Sequence, residues 1–299
     1  MSKASEIATN VWLGPTPDTT QRPSNPGVED LDYGILIEAS DLARAPDSKT
    51  MHRTAEHSSS SPQFVEFPSS GSIMPPSWSH SEVDGLLETC QWIYKLANPQ
   101  LTPASSDDGE KDSEGDIPMK TLFPRPRRIL IHCADGYTES SLLALTYLMY
   151  AECLPVHDAW IRMHCEKKRN FFAYPSDVAL LTSIQPRILQ ESPLSQGLIP
   201  SSLPEDPEWL KHIDGSLPSR ILPYMYLGNL GHANNPELLV AMGIKRVLSV
   251  GEEVNWPAER KERWGKDNLL FVDRVQDNGV DPLMEEFDRC LDFIGESAF

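Results

Sequence analysis

The stretch that decides the fold is residues 128–140, which read RILIHCADGYTES. Its first five residues, RILIH, have the length and the apolar centre of a buried strand. Residues 140–153 (SSLLALTYLMYAEC) follow, and they are apolar nearly all round. That composition predicts a helix inside a domain rather than on its surface. The sequence therefore predicts a short loop that joins the end of a buried strand to the start of a buried helix.

This loop is the strongest candidate for a site of chemistry. A loop in that position directs successive backbone N–H groups at one point near a helix N-terminus, a geometry that binds phosphate and stabilises a cysteine thiolate. Cys133 is the candidate nucleophile, because thiolate attack on phosphorus is the natural reaction of this arrangement. His132 is expected either to orient the loop or merely to cap the strand end.

Strand and helix patterns continue on both sides of the loop. Residues 33–39 and 64–67 are short, mostly apolar runs that predict strands. Residues 82–97 carry apolar side chains at three- and four-residue spacing, which predicts a helix. Two further helices are predicted over residues 156–169 and 176–188. This order predicts a three-layer α/β fold, with a mainly parallel central sheet flanked by helices and the loop at a strand's carboxyl end.

Three segments predict irregular structure. Residues 46–62 are polar and Ser-rich, and we expect them to form a loop insertion. Residues 103–117 hold six acids against one lysine, so they cannot bury apolar surface and predict a second, disordered insertion. Residues 191–218 are rich in Pro and Ser and predict a linker. The first domain is accordingly predicted over residues 1–190.

Residues 219–299 resemble a partial second copy of the first half of the chain. The stretch YLG at 226–228 echoes WLG at 12–14, and IKRVLSVG at 244–251 echoes YGILIEAS at 33–40. A later strand and a later helix agree in the same order. The alternative is that two ordinary strand–helix series look alike by chance. We expect residues 219–299 to form the N-terminal half of a second domain, with apolar faces that remain exposed.

Composition excludes several classes of function. The formal charge of −18 disfavours nonspecific binding to nucleic acid or to anionic membranes. No apolar run is long enough to span a bilayer, and the first residues show no secretory signal. The five cysteines are scattered, which indicates a reducing compartment, the cytoplasm or the nucleus. The pattern implies no metal ion and no organic cofactor. Residues 118–190 are nevertheless slightly positive, with nine Lys or Arg against six Asp or Glu.

The loop resembles that of the cysteine-dependent protein-tyrosine phosphatases, specifically the dual-specificity branch, which carries His-Cys-x5-Arg-Ser/Thr. The resemblance extends over residues 7–190, and the tandem arrangement looks like that of the fungal tandem-domain dual-specificity phosphatases. It implies a phosphatase-like fold and a phosphoprotein substrate, dephosphorylated through a cysteinyl-phosphate on Cys133. It also implies that His132 supports the loop and that phosphate is bound by Ala134, Asp135, Gly136, Tyr137, Thr138, Glu139 and Ser140.

The chain departs from the family at the decisive position, because Glu139 stands where the family has arginine. That arginine binds two phosphoryl oxygens and stabilises the transition state. A unit-charge contact at 4 Å is worth about 4 kcal/mol at an effective dielectric constant near 20, and reversing its sign roughly doubles the loss. At about 1.4 kcal/mol per decade, several orders of magnitude in rate are at stake. Asp135 adds a second carboxylate that opposes a phosphate dianion.

The general acid of the family is missing from the first copy as well. In the family it is an Asp on the loop after the strand that corresponds to residues 64–67. The matching position is Asp277 in the second copy, but it is Ser70 in the first. The first copy therefore has the cysteine without the arginine or the acid, and the second copy has the acid alone.

Two hypotheses follow from the residues and the resemblance. In the first, the chain is part of a protein-tyrosine or dual-specificity phosphatase, and this portion is catalytically impaired. In the second, it is a pseudophosphatase that binds protein partners as a regulatory module or scaffold. Cys133 is then a relic in a degenerate loop. The cluster at residues 167–169 (KKR) is expected to be a solvated helix end, with a phosphate contact as the alternative.

Overall fold

The computed structural model describes residues 3–17, 33–56, 62–72, 80–99, 125–195, 205–273, 275 and 283–295. The chain divides into two compact units. Unit 1 comprises Met1–Met163 with Lys167–Leu203, and unit 2 comprises His164–Glu166 with Pro204–Phe299.

Unit 1 is built on a five-stranded sheet with the order β1-β2-β5-β3-β4. The pair β1 and β2 is antiparallel, whereas β5 and β3 continue the sheet in parallel with β2, and β4 is parallel to β3. The sheet confirms the predicted α/β class with a mainly parallel centre. Its strands are β1 (Ser5–Ala8), β2 (Val11–Pro15), β3 (Ile35–Ser40), β4 (Gln63–Pro68) and β5 (Ile129–Cys133).

Strand β5 lies in the middle of this sheet. Its residues pair with β2 on one side, from Val11↔Ile129 to Pro15↔Cys133, and with β3 on the other. All five of its residues are buried. A parallel strand with both faces covered needs a continuous apolar run, and the segment ILI at its start satisfies that need.

Among the described residues, five helices accompany the sheet of unit 1. The most buried of them is α3, in which eleven of the twelve residues are buried, as its nearly uniform apolar composition predicts. It packs against both α2 and α5. The helices are α1 (Ser48–Glu56), α2 (His80–Ala97), α3 (Ser141–Glu152), α4 (Val156–Cys165) and α5 (Pro175–Glu191).

The structure corrects the prediction of a loop over residues 46–62, since residues 48–56 form α1. This helix buries Met51 and Thr54, and the indole nitrogen of Trp92 donates a hydrogen bond to the backbone oxygen of Met51 at 3.1 Å. A helix with so few apolar residues is stabilised by this packing rather than by its own periodicity. Residues 57–61 and the predicted insertion at 103–117 lie outside the described residues.

The predicted helix over residues 156–169 also ends earlier than expected, at Cys165. The chain then turns through Lys168, whose φ is +54°. The predicted linker over 191–218 is not wholly irregular either, because a short helix, α6 (Trp209–His212), buries Trp209 and Leu210. Residues 205–218 therefore belong to the packed part of unit 2.

The described residues of unit 2 form two small sheets. Strands β6 (Ser219–Leu222) and β7 (Met225–Leu227) form an antiparallel pair, and β8 (Val247–Val250) and β9 (Leu269–Val272) form a parallel pair. One apolar cluster is centred on Leu239, Val254 and Trp256. The remaining elements are α7 (Leu230–Ala233), α8 (Pro236–Ala241), α9 (Ala258–Trp264), α10 (Phe287–Gly295) and 3₁₀ turns at Lys266–Asn268 and Leu283–Glu286.

Among the residues that the structure describes, no helix combines the length and the apolar character that crossing a bilayer would require.

Candidate active site

The candidate nucleophile, Cys133, is the last residue of β5, and the loop 134–140 connects it to α3. Its side chain is buried, with the residue only 2% exposed. The sulfur lies 3.2 Å from Ser140 Oγ and 3.7 Å from Asp135 Oδ1. Ser140 is the N-cap residue of α3, yet its hydroxyl makes no capping bond. The hydroxyl faces the sulfur instead, where it can donate to a thiolate.

Gly136 is the position at which the loop tolerates no side chain. Its φ is +66°, in the left-handed region that favours glycine. A Cβ atom there would lie 2.3 Å from the carbonyl carbon of Gly14 and 2.4 Å from an Arg169 nitrogen. Glycine at this position therefore lets the loop pass directly against the end of β2.

The Arg169 side chain holds the loop by hydrogen bonds to backbone oxygens. Its Nη2 donates to the Gly136 oxygen at 2.5 Å, and its Nη1 donates to the Lys3 oxygen at 2.9 Å. The residue is 2% exposed, so the prediction of a solvated helix end is wrong for Arg169. Burial lowers the pKa of Arg169, while negative charge on Cys133 and Asp135 acts to raise it. Sequence reasoning missed this role because Arg169 follows two lysines and carries no motif of its own.

His132 occupies the position before the nucleophile and is buried. Its Nδ1 lies 3.1 Å from Thr16 Oγ1, and the backbone nitrogen of Thr16 donates to the Cys133 oxygen at 2.9 Å. Burial lowers the pKa of His132, and the nearby charge of Glu38 opposes that shift. These contacts join the end of β5 to the segment after β2.

Ser70, at the predicted position of the missing general acid, holds the start of α3. Its backbone nitrogen and its Oγ both donate to the Glu139 oxygen, at 2.8 and 2.9 Å. The backbone nitrogen of Leu142 in turn donates to Ser70 Oγ at 2.8 Å. Ser70 thus satisfies one of the unpaired N–H groups of the helix from a different loop. Its hydroxyl is committed to structure at the place where the family would position an acid.

Asp177 holds the residue that follows Ser70. Both of its carboxylate oxygens accept hydrogen bonds from the Gly71 nitrogen, at 3.0 and 3.2 Å. Burial raises the pKa of Asp177 from 3.8 to about 6, against the effect of these hydrogen bonds. Asp177 lies in the first turn of α5, so this contact ties the 69–72 segment to that helix.

The remaining predicted loop residues lie around the cysteine. Asp135 Oδ1 accepts a hydrogen bond from the Tyr137 nitrogen at 2.8 Å, and the Thr138 oxygen accepts one from Ser141 Oγ at 2.8 Å. Ala134 and Asp135 are exposed, so the loop is open to solvent on their side. The predicted general acid of the second copy, Asp277, lies outside the described residues.

The loop also gathers groups that can ligate a metal. Within the described part of the chain, Cys133, Asp135 and Glu139 form such a group, with the cysteine sulfur and one oxygen of each carboxylate all within 4.8 Å of one another. A buried thiol therefore faces two carboxylates at the position where the resemblance implied a phosphate.

The chain is similar to known phosphatases. No family model matches the chain. A curated relative, the dual specificity protein phosphatase PPS1 of Saccharomyces cerevisiae, is 27% identical over an alignment of 311 residues that covers 78% of this chain. Over most of its length the chain is therefore similar to a dual specificity protein phosphatase. It spans 35% of the length of this relative.

Solved structures that match the chain include three phosphatases. The crystal structure of DUSP15 has a TM-score of 0.35 and 11% identity, and covers 61% of this chain and 86% of its own. Tk-PTP in its active form has a TM-score of 0.35 and 16% identity, and covers 62% and 97%. The PTP-2 phosphatase of Cydia pomonella has a TM-score of 0.33 and 13% identity, and covers 61% and 90%.

We expect Arg169→Met to destabilise unit 1, because it leaves the buried Gly136 oxygen and the Lys3 oxygen without a donor. The buried Gly136 carbonyl, left unpaired, costs about 1–3 kcal/mol of unfolding free energy, whereas the carbonyl of the exposed Lys3 can bind water. Urea denaturation measures this difference. Lys168→Met is the matched control, since Lys168 is exposed, and we expect a change within about 0.5 kcal/mol there. Equal effects of the two substitutions would contradict this role of the Arg169 hydrogen bonds.

Asp177 predicts a particular dependence of stability on pH. Because its folded pKa of about 6 lies above the ordinary 3.8, its contribution is fully present below about pH 4 and is lost as the pH rises through 6. The difference amounts to roughly 3 kcal/mol at about 1.4 kcal/mol per pKa unit. Asp177→Asn keeps an oxygen for the Gly71 nitrogen and removes the titration. We therefore expect this variant to gain stability over the parent between pH 4.5 and 7.5, measured by urea denaturation, whereas Glu88→Gln on the exposed face of α2 does not.

Proposed function

We propose that this protein takes part in the dephosphorylation of phosphoproteins and that unit 1 is a catalytically impaired phosphatase domain. The observation that carries the proposal is the presence of Glu139 in the loop position where the family has arginine. Its carboxylate lies within 4.8 Å of the Cys133 sulfur. The loop therefore keeps the nucleophile of the family and reverses the charge beside it.

The charges around Cys133 oppose a phosphate dianion. A carboxylate 4.8 Å from a negative charge contributes about 3 kcal/mol of repulsion at an effective dielectric constant near 20. Asp135 adds a smaller repulsion, because its carboxylate is exposed and screened by solvent, and it also accepts the Tyr137 N–H within the loop. Each decade of rate corresponds to about 1.4 kcal/mol, so the two carboxylates together account for several decades.

Arg169 does not replace the missing arginine in this arrangement. A phosphoryl group is bound by a guanidinium that presents two parallel N–H donors. Both terminal nitrogens of Arg169 donate to backbone oxygens, those of Lys3 and Gly136. Arg169 therefore does not offer these two donors to a phosphoryl group.

The leaving group also lacks a proton donor in unit 1. A general acid is most effective when its pKa lies near the working pH, a condition that a serine hydroxyl does not meet. Ser70 is moreover hydrogen-bonded to the Glu139 oxygen and to the Leu142 nitrogen. Unit 1 then serves the protein as a binding or regulatory module rather than as its catalyst.

We further propose that unit 2 is the first half of a second phosphatase domain, as the sequence copy predicts. Its β6–β7 pair repeats the register of β1–β2, because the pair Ser219↔Leu227 corresponds to the pair Ser5↔Leu13. In both hairpins the register shifts one residue after the next pair. Leu13 is fully buried, whereas its counterpart Leu227 is 65% exposed. The difference supports a sheet that lacks a neighbouring strand.

The parallel pair of unit 2 supports the same proposal. Strands β8 and β9 correspond to β3 and β4. The sequence alignment of the two copies predicts that Val247 pairs with Phe271, but Ser249 does, so the register differs by two residues. A slide of two residues preserves which side chains share a face. In unit 1, β5 joins β2 to β3, but β7 and β8 belong to separate sheets, and the described residues of unit 2 provide no strand between them. A catalytic second domain would need that strand and its cysteine loop.

The first test of the proposal is enzymatic. We expect the chain to hydrolyse an aryl phosphate no faster than its Cys133→Ala variant, because the loop lacks both the arginine and the acid. The measurement compares the initial rates of the two proteins in the presence of a chelator. Robust turnover that disappears in Cys133→Ala would refute the proposed impairment.

A gain-of-binding substitution tests the reversal of charge directly. Glu139→Arg replaces the repulsive carboxylate with a cation, so we expect the affinity for tungstate to rise by at least about tenfold, which corresponds to about 1.4 kcal/mol. Isothermal titration calorimetry measures the affinity. Glu88→Arg introduces the same charge change on an exposed face of α2 and should produce no gain. An unchanged affinity in Glu139→Arg would show that the loop does not have the shape of an anion site.

A further inference from the structure

The loop 134–140 brings three groups of metal-ligand chemistry to one point. The Cys133 sulfur and one carboxylate oxygen each from Asp135 and Glu139 lie within 4.8 Å of one another. We propose that these three side chains bind a divalent cation of the zinc class, in place of the phosphate that the family binds here. The inference rests on the proposed function, because a loop that binds phosphate would not accept a cation at the same point.

The separation between the sulfur and the Asp135 carboxylate fits a tetrahedral zinc ion. With Zn–S near 2.3 Å and Zn–O near 2.1 Å, tetrahedral geometry places a sulfur and an oxygen ligand about 3.6 Å apart. The Cys133 sulfur and Asp135 Oδ1 are 3.7 Å apart. The remaining separations are within 4.8 Å, and the Glu139 and Asp135 side chains can move to shorten them because neither is buried. Water can complete the coordination from the exposed side, as in zinc sites with three protein ligands.

The thiol distinguishes this group from an ordinary surface pair of acids. Cys133 is 2% exposed and fixed at the end of the central strand, whereas Asp135 lies at the solvent-exposed opening. Thiolate sulfur selects zinc and similar ions over magnesium and calcium, which favour oxygen ligands alone. The combination of one buried sulfur and two more accessible carboxylates therefore favours a zinc-class ion and gives it a path of entry.

The charges balance better with a cation than without one. A thiolate and two carboxylates carry three negative charges, and a divalent ion reduces the sum to a single negative charge. A single negative charge suits this position, because the N-terminus of α3 favours anions. Arg169 compensates in part through its charge, but its Nη1 and Nη2 donate to Lys3 and Gly136 oxygens rather than to the ligands.

The backbone of the loop is held at points close to each ligand. Gly136, next to Asp135, is fixed by its positive φ and by the Arg169 hydrogen bond. The Glu139 oxygen accepts two hydrogen bonds from Ser70. Contacts that hold ligand-bearing residues in place raise metal affinity, because less order is lost on binding. The scaffold that shapes an anion loop in the family here presents a set of anionic ligands.

The experiment titrates chelator-treated full-length protein with Zn²⁺ by calorimetry and with Co²⁺ by absorption. We expect one ion per chain and a sulfur-to-cobalt charge-transfer band. Cys133→Ser should abolish that band, and Glu139→Gln and Asp135→Asn should each weaken Zn²⁺ binding by at least about tenfold. Cys165→Ser and Glu88→Gln remove a thiol and a carboxylate outside the cluster and should leave affinity unchanged. Thermal melts of each metal-free variant establish that it is folded.

Glu139→Arg supplies the reciprocal test, since it should lose Zn²⁺ binding while it gains tungstate binding. The inference is overturned if the parent protein binds no Zn²⁺, or if Glu139→Gln, the most conservative change, binds it as tightly as the parent. Failure of the metal inference can be distinguished from failure of the proposed function, because the turnover assay is run in chelator and its result does not depend on a bound metal ion. Conversely, turnover in chelator that depends on Cys133 would overturn the proposed function whatever the metal titration shows.

Discussion

The double pairing of β5 is the constraint on which the rest of unit 1 depends. This strand is hydrogen-bonded to β2 along one edge and to β3 along the other, and all of its residues are buried. Its last residue is Cys133, so the position of the sulfur is set by the sheet itself. The helix α3 that follows is buried nearly all round and cannot shift without disturbing α2 and α5. The seven residues of the loop must therefore span a fixed gap.

The shape and the charge of this loop are maintained by different residues. Gly136, Arg169 and Ser70 determine its path through a positive φ and hydrogen bonds to backbone oxygens. Asp135 and Glu139 determine its charge, and Asp135 Oδ1 also accepts hydrogen bonds from the Tyr137 nitrogen and the Cys133 sulfur. Backbone contacts depend little on side-chain identity, so the loop can keep a phosphatase-like form while its side chains reverse the preferred ligand. The family resemblance and the proposed impairment are compatible for this reason.

The two units show how far local pattern extends towards a stable core. Strands β1–β2 and β6–β7 share sequence echoes and the same register, yet Leu13 is fully buried and Leu227 is mostly exposed. The local geometry of a hairpin is encoded in its own residues, but burial requires a neighbour. In unit 1 that neighbour is β5, and its apolar run converts two edge strands into interior ones. Among the described residues of unit 2, β7 and β8 remain in separate two-stranded sheets.

The sequence by itself determined the features that depend on short-range pattern. Residues 128–153 show the apolar run of β5 and the uniformly apolar α3, because burial imposes a composition on each element. The same residues show Glu139 at the position where the resembled family has arginine. Tertiary structure decided the features whose partners are distant in the chain. Residues 48–56 form a helix because Met51 and Trp92 meet across 41 positions. Arg169 is buried because the Lys3 and Gly136 oxygens, 166 and 33 positions away, accept hydrogen bonds from it. No local pattern in a Ser-rich or Lys-rich segment carries that information, since the physical cause lies in the other residue of each pair.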